Sequence, residues 1–142
     1  MIIPLAFALW LGAPPAASTA PTTAPPSAAP ASSFAARVLR SKLIEAGSTG
    51  PAYQQTLWAQ LNGPTTDALK ACIRSHAPAD KSPFTLVADV RSDGTPVAIE
   101  VQPATPVASC FATWFGTNTL PPPPTLPDTS TYPLEIDVSI TP

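Results

Sequence analysis

Four carboxylates fall on strand-like segments, where they could carry out general acid–base chemistry. Asp89 and Glu100 belong to the two arms of a candidate hairpin, and Glu135 and Asp137 are one strand repeat apart near the C-terminus. A carboxylate pair serves as acid and base when the two pKa values are driven apart. Nothing in the sequence marks these residues for such a shift, and the outward face of an antiparallel sheet is ordinarily polar. We expect solvated surface, with no catalytic residues and no cofactor.

The only two cysteines, Cys72 and Cys110, could serve as a disulfide, a redox pair or nucleophiles. An even count in an exported chain favours a structural disulfide. Closing the long loop between them would add about 4 kcal/mol in the chain-entropy model. His76 follows Cys72 by one helical turn, which leaves a Cys/His nucleophile as the alternative. One histidine and the lack of a Cys-x-x-Cys motif disfavour a metal site, and we expect none.

The chain centres on a β-hairpin. Residues 84–91 and 97–102 alternate apolar and mostly polar side chains, and Asp93-Gly94 suits a two-residue turn. That turn would pair Val90 with Val97. Residues 132–140 alternate in the same way and predict a third strand. The inward set would be Phe84, Leu86, Ala88, Val90, Val97, Ile99, Val101, Leu134, Ile136, Val138 and Ile140.

Caps and breakers divide the remaining chain into helices. Ser33 can cap a helix over residues 34–46, and Pro51 opens a second helix that Asn62-Gly63-Pro64 should end. A third helix should run from Thr65 or Thr66 to Pro78, and a fourth from the Thr105 cap to Gly116. Pro96 suits an edge strand. We predict an α+β fold with a three-stranded antiparallel sheet of order 2-1-3 and helices packed on one face.

Composition restricts the location and the partners. Residues 1–20 are an apolar run ending in small residues, as in a signal peptide, and residues 21–33 form a tether rich in Pro, Ala, Ser and Thr. A helical extension over 34–62 and a domain over 63–142 follow. With 7 basic and 9 acidic residues the chain lacks the basic surface of a nucleic-acid binder. We expect an exported protein, periplasmic or secreted, that is a monomer.

The order of these elements resembles the TonB C-terminal domain superfamily, nearest to its AgmX/PglI-type branch. The resemblance rests on residues 71–74, on residues 84–97 with the Asp-Gly turn, on Ser109-Cys110-Phe111, and on Leu120-Pro121-Pro122 before the last strand. It spans about residues 65–140.

The resemblance implies a periplasmic binding module that takes an extended peptide, or a segment of an outer-membrane or other cell-envelope protein, by strand addition. The candidate edge consists of Tyr132, Leu134, Glu135, Ile136, Asp137 and Val138. The alternative is a secreted structural or inhibitor-type protein without a transport role, which would bind through the helix surface around Tyr53 and Trp58.

Overall fold

The computed structural model describes residues 32–141. The expected signal peptide (1–20) and all but the last two residues of the expected tether (21–33) lie outside the described residues. The elements are α1 (Phe34–Glu45), α2 (Gly50–Ser75), β1 (Phe84–Arg91), β2 (Pro96–Gln102), α3 (Pro106–Gly116) and β3 (Thr131–Val138). The predicted α+β class is confirmed.

The three strands form one antiparallel sheet in the predicted order β2-β1-β3. β1 contains no proline and lies at the centre, where both of its edges must donate hydrogen bonds. Pro96 lies on the β2 edge, as predicted, but opposite Val90 instead of Arg91. Strand β3 begins and ends earlier than predicted, so Ile140 lies beyond it and still packs against the core.

The turn between β1 and β2 is one residue longer than predicted. Arg91 N–H donates to the Thr95 carbonyl over 2.9 Å, so residues 92–94 form a three-residue loop. Gly94 has φ +88°, a left-handed conformation that glycine adopts without steric cost. A side chain there would also collide with the Leu120 carbonyl. The predicted Asp93-Gly94 two-residue turn is therefore wrong.

A β-bulge at Ala98 compensates for the longer turn. Val90 lies opposite Pro96 and Asp89 opposite Val97, so Val97 faces away from the core side on which it was predicted. Ala98 absorbs the extra residue with φ 50°. Beyond the bulge the predicted pairs are confirmed: Leu86 with Val101 and Val87 with Glu100.

Helix α2 continues through the predicted break at Asn62-Gly63-Pro64. Its buried residues are Gly50, Tyr53, Leu57, Leu61, Ala68 and Cys72, and from Tyr53 onward they keep one helical phase on both sides of Pro64. An interior proline costs about 3 kcal/mol. Burying this continuous apolar stripe offsets that cost, so the predicted break is wrong. The boundary expected between 62 and 63 falls inside the helix.

Helices cover both faces of the sheet. Helices α2 and α3 cover the face that carries Leu86, Leu134 and Ile136, as predicted for the two cysteine-bearing helices, and enclose the core there. Helix α1 lies on the opposite face, because its Arg37 and Lys42 pair with carboxylates that point that way. Placement on one face therefore holds for α2 and α3 and not for α1.

The predicted caps are confirmed: Ser33 for α1 and Thr105 for α3.

Cys72 and Cys110 form the predicted disulfide. The bond joins α2 to α3 above the sheet, with Cys72 buried in the core. The thiol that a Cys/His nucleophile requires is therefore not free, and His76 instead lies at the C-cap of α2 with Nδ1 3.0 Å from the Cys72 carbonyl oxygen. Within residues 32–141, no helix combines the length and apolar character needed to cross a membrane.

Candidate binding edge

The hairpin determines which peptide groups of β3 face outward. Arg91 bonds toward β2, and successive residues of a strand alternate between its two neighbours. Val90, Ala88, Leu86 and Phe84 therefore bond toward β3, where they face Tyr132, Leu134, Ile136 and Val138. The remaining peptide groups of β3 point away from β1. These groups, of Thr131, Pro133, Glu135 and Asp137, are called the free edge below.

The first part of the free edge is closed by the protein itself. Thr131 N–H donates to Thr129 Oγ1 over 3.3 Å, and Pro133 has no N–H. The peptide N–H of Glu135 lies beside the Glu45 carboxyl at the end of α1 and lowers the pKa of that carboxyl. Burial acts more strongly in the opposite direction, so the net shift of the Glu45 pKa is upward.

The connection between α1 and α2 covers the same part of the edge. Residues 46–49 join a helix on one face to a helix on the other, so the chain must pass an edge of the sheet there. Tyr53 of α2 then packs edge-on against Tyr132, with ring centroids 4.9 Å apart, and donates to the Pro121 carbonyl over 3.0 Å. Burial raises the pKa of Tyr53 to about 12.

The last residue of the free edge remains open. Within residues 32–141, the peptide N–H of Asp137 has no hydrogen-bond partner in the structure. Its side chain is 61% exposed, whereas the side chains of the other candidate edge residues are buried. The structure thus separates the predicted edge, Tyr132 to Val138, into a covered part and an open part at Asp137.

A groove runs beside the open part between β3 and α2. It encloses about 440 Å³. Its apolar wall is formed by Trp58, Leu69, Ile73, Ile136, Val138 and Ile140. Lys70 stands at the rim on α2 and Asp137 on β3. We call this the edge groove. An unpaired strand edge beside an apolar groove can accept an extended chain through backbone bonds and side-chain burial.

The opposite face contains an ion-pair cluster where solvated carboxylates were expected. Lys42 Nζ lies 3.6 Å from Glu135 Oε1 and 3.3 Å from Asp137 Oδ2, and Thr85 Oγ1 donates to Asp137 Oδ1 over 2.6 Å. Burial, followed by the neighbouring Asp137, raises the pKa of Glu135 to about 7. The Thr85 hydroxyl holds the pKa of Asp137 below its usual value. Glu135 is therefore buried, contrary to expectation.

The shifted pKa values do not by themselves make an active site. Glu135 is 8% exposed, and its Oε1 has no hydrogen-bond partner. A general acid must touch its substrate, and α1 covers this carboxyl. The cluster instead fastens α1 to the sheet. Within residues 32–141, no three His, Cys, Asp or Glu side chains lie close enough to hold a metal ion.

A second polar contact fastens the beginning of α1. Arg37 donates to the Ala98 carbonyl over 2.6 Å and approaches Glu100 at 3.3 Å and Asp89 at 3.6 Å. Its side chain is 16% exposed. The bulge turns the Ala98 carbonyl toward this guanidinium, so the local backbone irregularity contributes to the attachment of α1.

The helix surface through which a structural or inhibitor-type protein would bind is mostly packed against the rest of the protein. Tyr53 is buried, and Trp58 is half-buried on the wall of the edge groove, where its Nε1–H donates to Gln54 Oε1 over 3.0 Å. Among residues 32–141, the exposed large apolar side chains are instead Leu39 and Leu43 on α1.

Sequence reasoning missed the groove because two of its residues, Trp58 and Thr65, lie on opposite sides of the expected break in α2. The unbroken phase of Leu57, Leu61 and Ala68 was the available signal.

Comparisons of the chain with models of protein families, with curated proteins and with solved structures find no match.

Proposed function

We propose that this chain is an exported, non-catalytic protein-binding module that takes an extended segment of a partner as a fourth strand beside β3. The observation that supports the proposal is that the protein covers some of the outward-facing peptide groups of β3 and leaves one of them open. The Thr131 N–H is bonded to Thr129, Pro133 has no N–H, and the Glu135 N–H lies beside the Glu45 carboxyl, whereas Asp137 is open beside an apolar groove.

Blocking an edge is the usual protection against unwanted pairing between chains. A protein that needed only this protection would gain from closing Asp137 as well. An open peptide group beside an apolar groove suits a short partner segment that pairs with β3 at Asp137 and places one side chain in the groove.

The resemblance to TonB C-terminal domains supports the same mode of binding and suggests a cell-envelope protein as the partner. The Cys72–Cys110 disulfide supports an oxidising compartment, either the periplasm or the outside of the cell. A cytosolic protein would rarely keep such a bond.

The test is a peptide selection followed by N-methylation. Seven-residue peptides selected from a random library on the immobilised full chain are resynthesised with one backbone nitrogen methylated at a time. Strand addition predicts an alternating pattern, because only every second peptide N–H faces β3. Methylation should abolish binding at those positions and leave it unchanged at the others.

Amide shifts measured by NMR provide the location. We expect the largest changes at residues 136–139 and at the groove wall, with little change at Tyr132. Binding that ignores N-methylation, or shifts confined to α1 around Leu39 and Leu43, would refute strand addition at this edge.

A further inference from the structure

We infer that the segment bound in the edge groove carries a large apolar side chain and, two residues away, an acidic one that meets Lys70. This inference rests on the proposed function and specifies the chemistry of the partner. Side chains of a strand added to β3 alternate between the two faces of the sheet. Every second residue of the partner therefore points toward α2 and the groove.

The groove wall calls for an aliphatic or aromatic side chain. Leu69 and Ile73 from α2 stand opposite Val138 and Ile140, and Trp58 contributes to the same wall. The uncharged polar residues of the lining are Thr65, Thr66, Ser139 and Thr141. A single apolar side chain that enters here removes apolar surface from water on both partners.

The charge at the rim calls for a carboxylate. Two charged residues line the groove, Lys70 and Asp137. The Asp137 carboxylate already has Lys42 Nζ at 3.3 Å and Thr85 Oγ1 at 2.6 Å. Lys70 is exposed and makes no salt bridge within residues 32–141. The unmatched charge of the groove is therefore positive, and a bound carboxylate complements it.

The spacing follows from strand geometry. Residues two apart on a strand point to the same face and lie roughly 6.6–6.8 Å from each other. An apolar residue in the groove thus places the next side chain on that face at the rim. A second copy of this chain that paired antiparallel through Asp137 would place its own Asp137 carboxylate opposite this one on the α1 side of the sheet, and this pair of like charges disfavours self-pairing.

The experiment uses capped heptapeptides of threonine that carry leucine at the centre and one glutamate two residues before or two residues after it. Their affinities for the full chain are measured by isothermal titration calorimetry. Matched peptides replace glutamate by lysine or leucine by asparagine. We expect at least one glutamate peptide to bind, the lysine exchange to weaken it about five-fold, and the asparagine exchange to weaken it about ten-fold or more.

Two surface variants test whether Lys70 determines the preference for an acidic peptide. Lys70→Glu should invert the preference, so that the lysine peptide binds about five-fold more tightly than the glutamate peptide. Lys81→Glu makes the same charge change at an exposed residue outside the groove and should leave the preference unchanged. Neither residue is buried, so both variants should fold.

Each other outcome overturns a defined part of the inference. Peptides that pair with β3 by the N-methylation pattern, yet prefer lysine or show no charge preference, would overturn the acidic partner and leave strand addition intact. The absence of any paired peptide would overturn both. Concentration-dependent dimerisation that protects the Asp137 amide would assign the groove to a second copy.

Discussion

Replacing Glu135 by Gln should remove a pH dependence of stability that the buried carboxyl creates. The folded state raises the pKa of this group to about 7, from 4.5 in an unperturbed glutamate side chain. The folded protein therefore holds a proton that the unfolded chain has lost, and its free energy of unfolding falls as pH rises through this window. The charged neighbours on both packed elements are Lys42 and Glu45 on α1 and Asp137 on β3.

The magnitude follows from the size of the shift. One pKa unit corresponds to about 1.36 kcal/mol, so the full shift would be about 3 kcal/mol. Asp137, which helps to raise this pKa, has a side chain that is 61% exposed, so solvent screens its effect. The range from pH 5 to pH 8 also omits the first part of the change, so the expected loss there is roughly 2 kcal/mol. Glu45, whose pKa is also raised, adds a smaller loss of the same sign. Asp137 has a lowered pKa, so its contribution is lost only below about pH 4, outside this window.

Urea unfolding at pH 5, 6, 7 and 8 measures the effect directly. The wild-type free energy of unfolding should fall across this range, and Glu135→Gln should remove most of the fall and be the more stable protein at pH 8. Asp67→Asn, at an exposed carboxylate of α2, is the control and should keep the wild-type slope. A wild-type stability that rises from pH 5 to pH 8, or a variant with the unchanged slope, would refute the burial of Glu135 under α1.

Three further predictions concern the attachment of the helices and the bulge. Because the Cys72–Cys110 bond closes a separation of 38 residues, Cys72→Ala with Cys110→Ala should lose about 4 kcal/mol in urea unfolding, and an unchanged midpoint would contradict the entropic account. Ala98→Gly should raise the melting temperature through a gain of about 0.5–1 kcal/mol, because φ 50° strains alanine, while Ala112→Gly on α3 should lower it. Arg37→Met should cost about 2 kcal/mol, because it leaves the Ala98 carbonyl and two carboxylates without their partner, and the exposed Arg40→Met should cost little.

The sheet could be predicted because its signals are local and agree with one another. Alternation in residues 84–91 and 132–140 assigned the faces, and Pro96 placed β2 at an edge. The exact register could not be predicted. Gly94 serves a three-residue loop as well as a two-residue turn, and the bulge at Ala98 that compensates for the difference has no glycine to mark it.

The errors in the helices have one physical cause, which is tertiary packing that overrides a local preference. Pro64 costs α2 a hydrogen bond, but Leu61 and Ala68 on either side are buried on the same core. On α1 the large apolar side chains of Leu39 and Leu43 are exposed, whereas Arg37 and Ser41 face the sheet. Arg37 faces the sheet because the carboxylates there require cations, and a pairing across 52 or more residues leaves no local trace in the sequence.

Hydrogen exchange at the amide of Asp137 tests the central claim most directly. In the free protein this amide should exchange faster than those of Ile136 and Val138, which bond to β1, and faster than that of Glu135 beside the Glu45 carboxyl. Adding a selected peptide should slow exchange at Asp137 while Ile136 and Val138 stay slow. An Asp137 amide that is already protected in the free protein, or that remains fast when the peptide is bound, would contradict an open edge that receives a fourth strand.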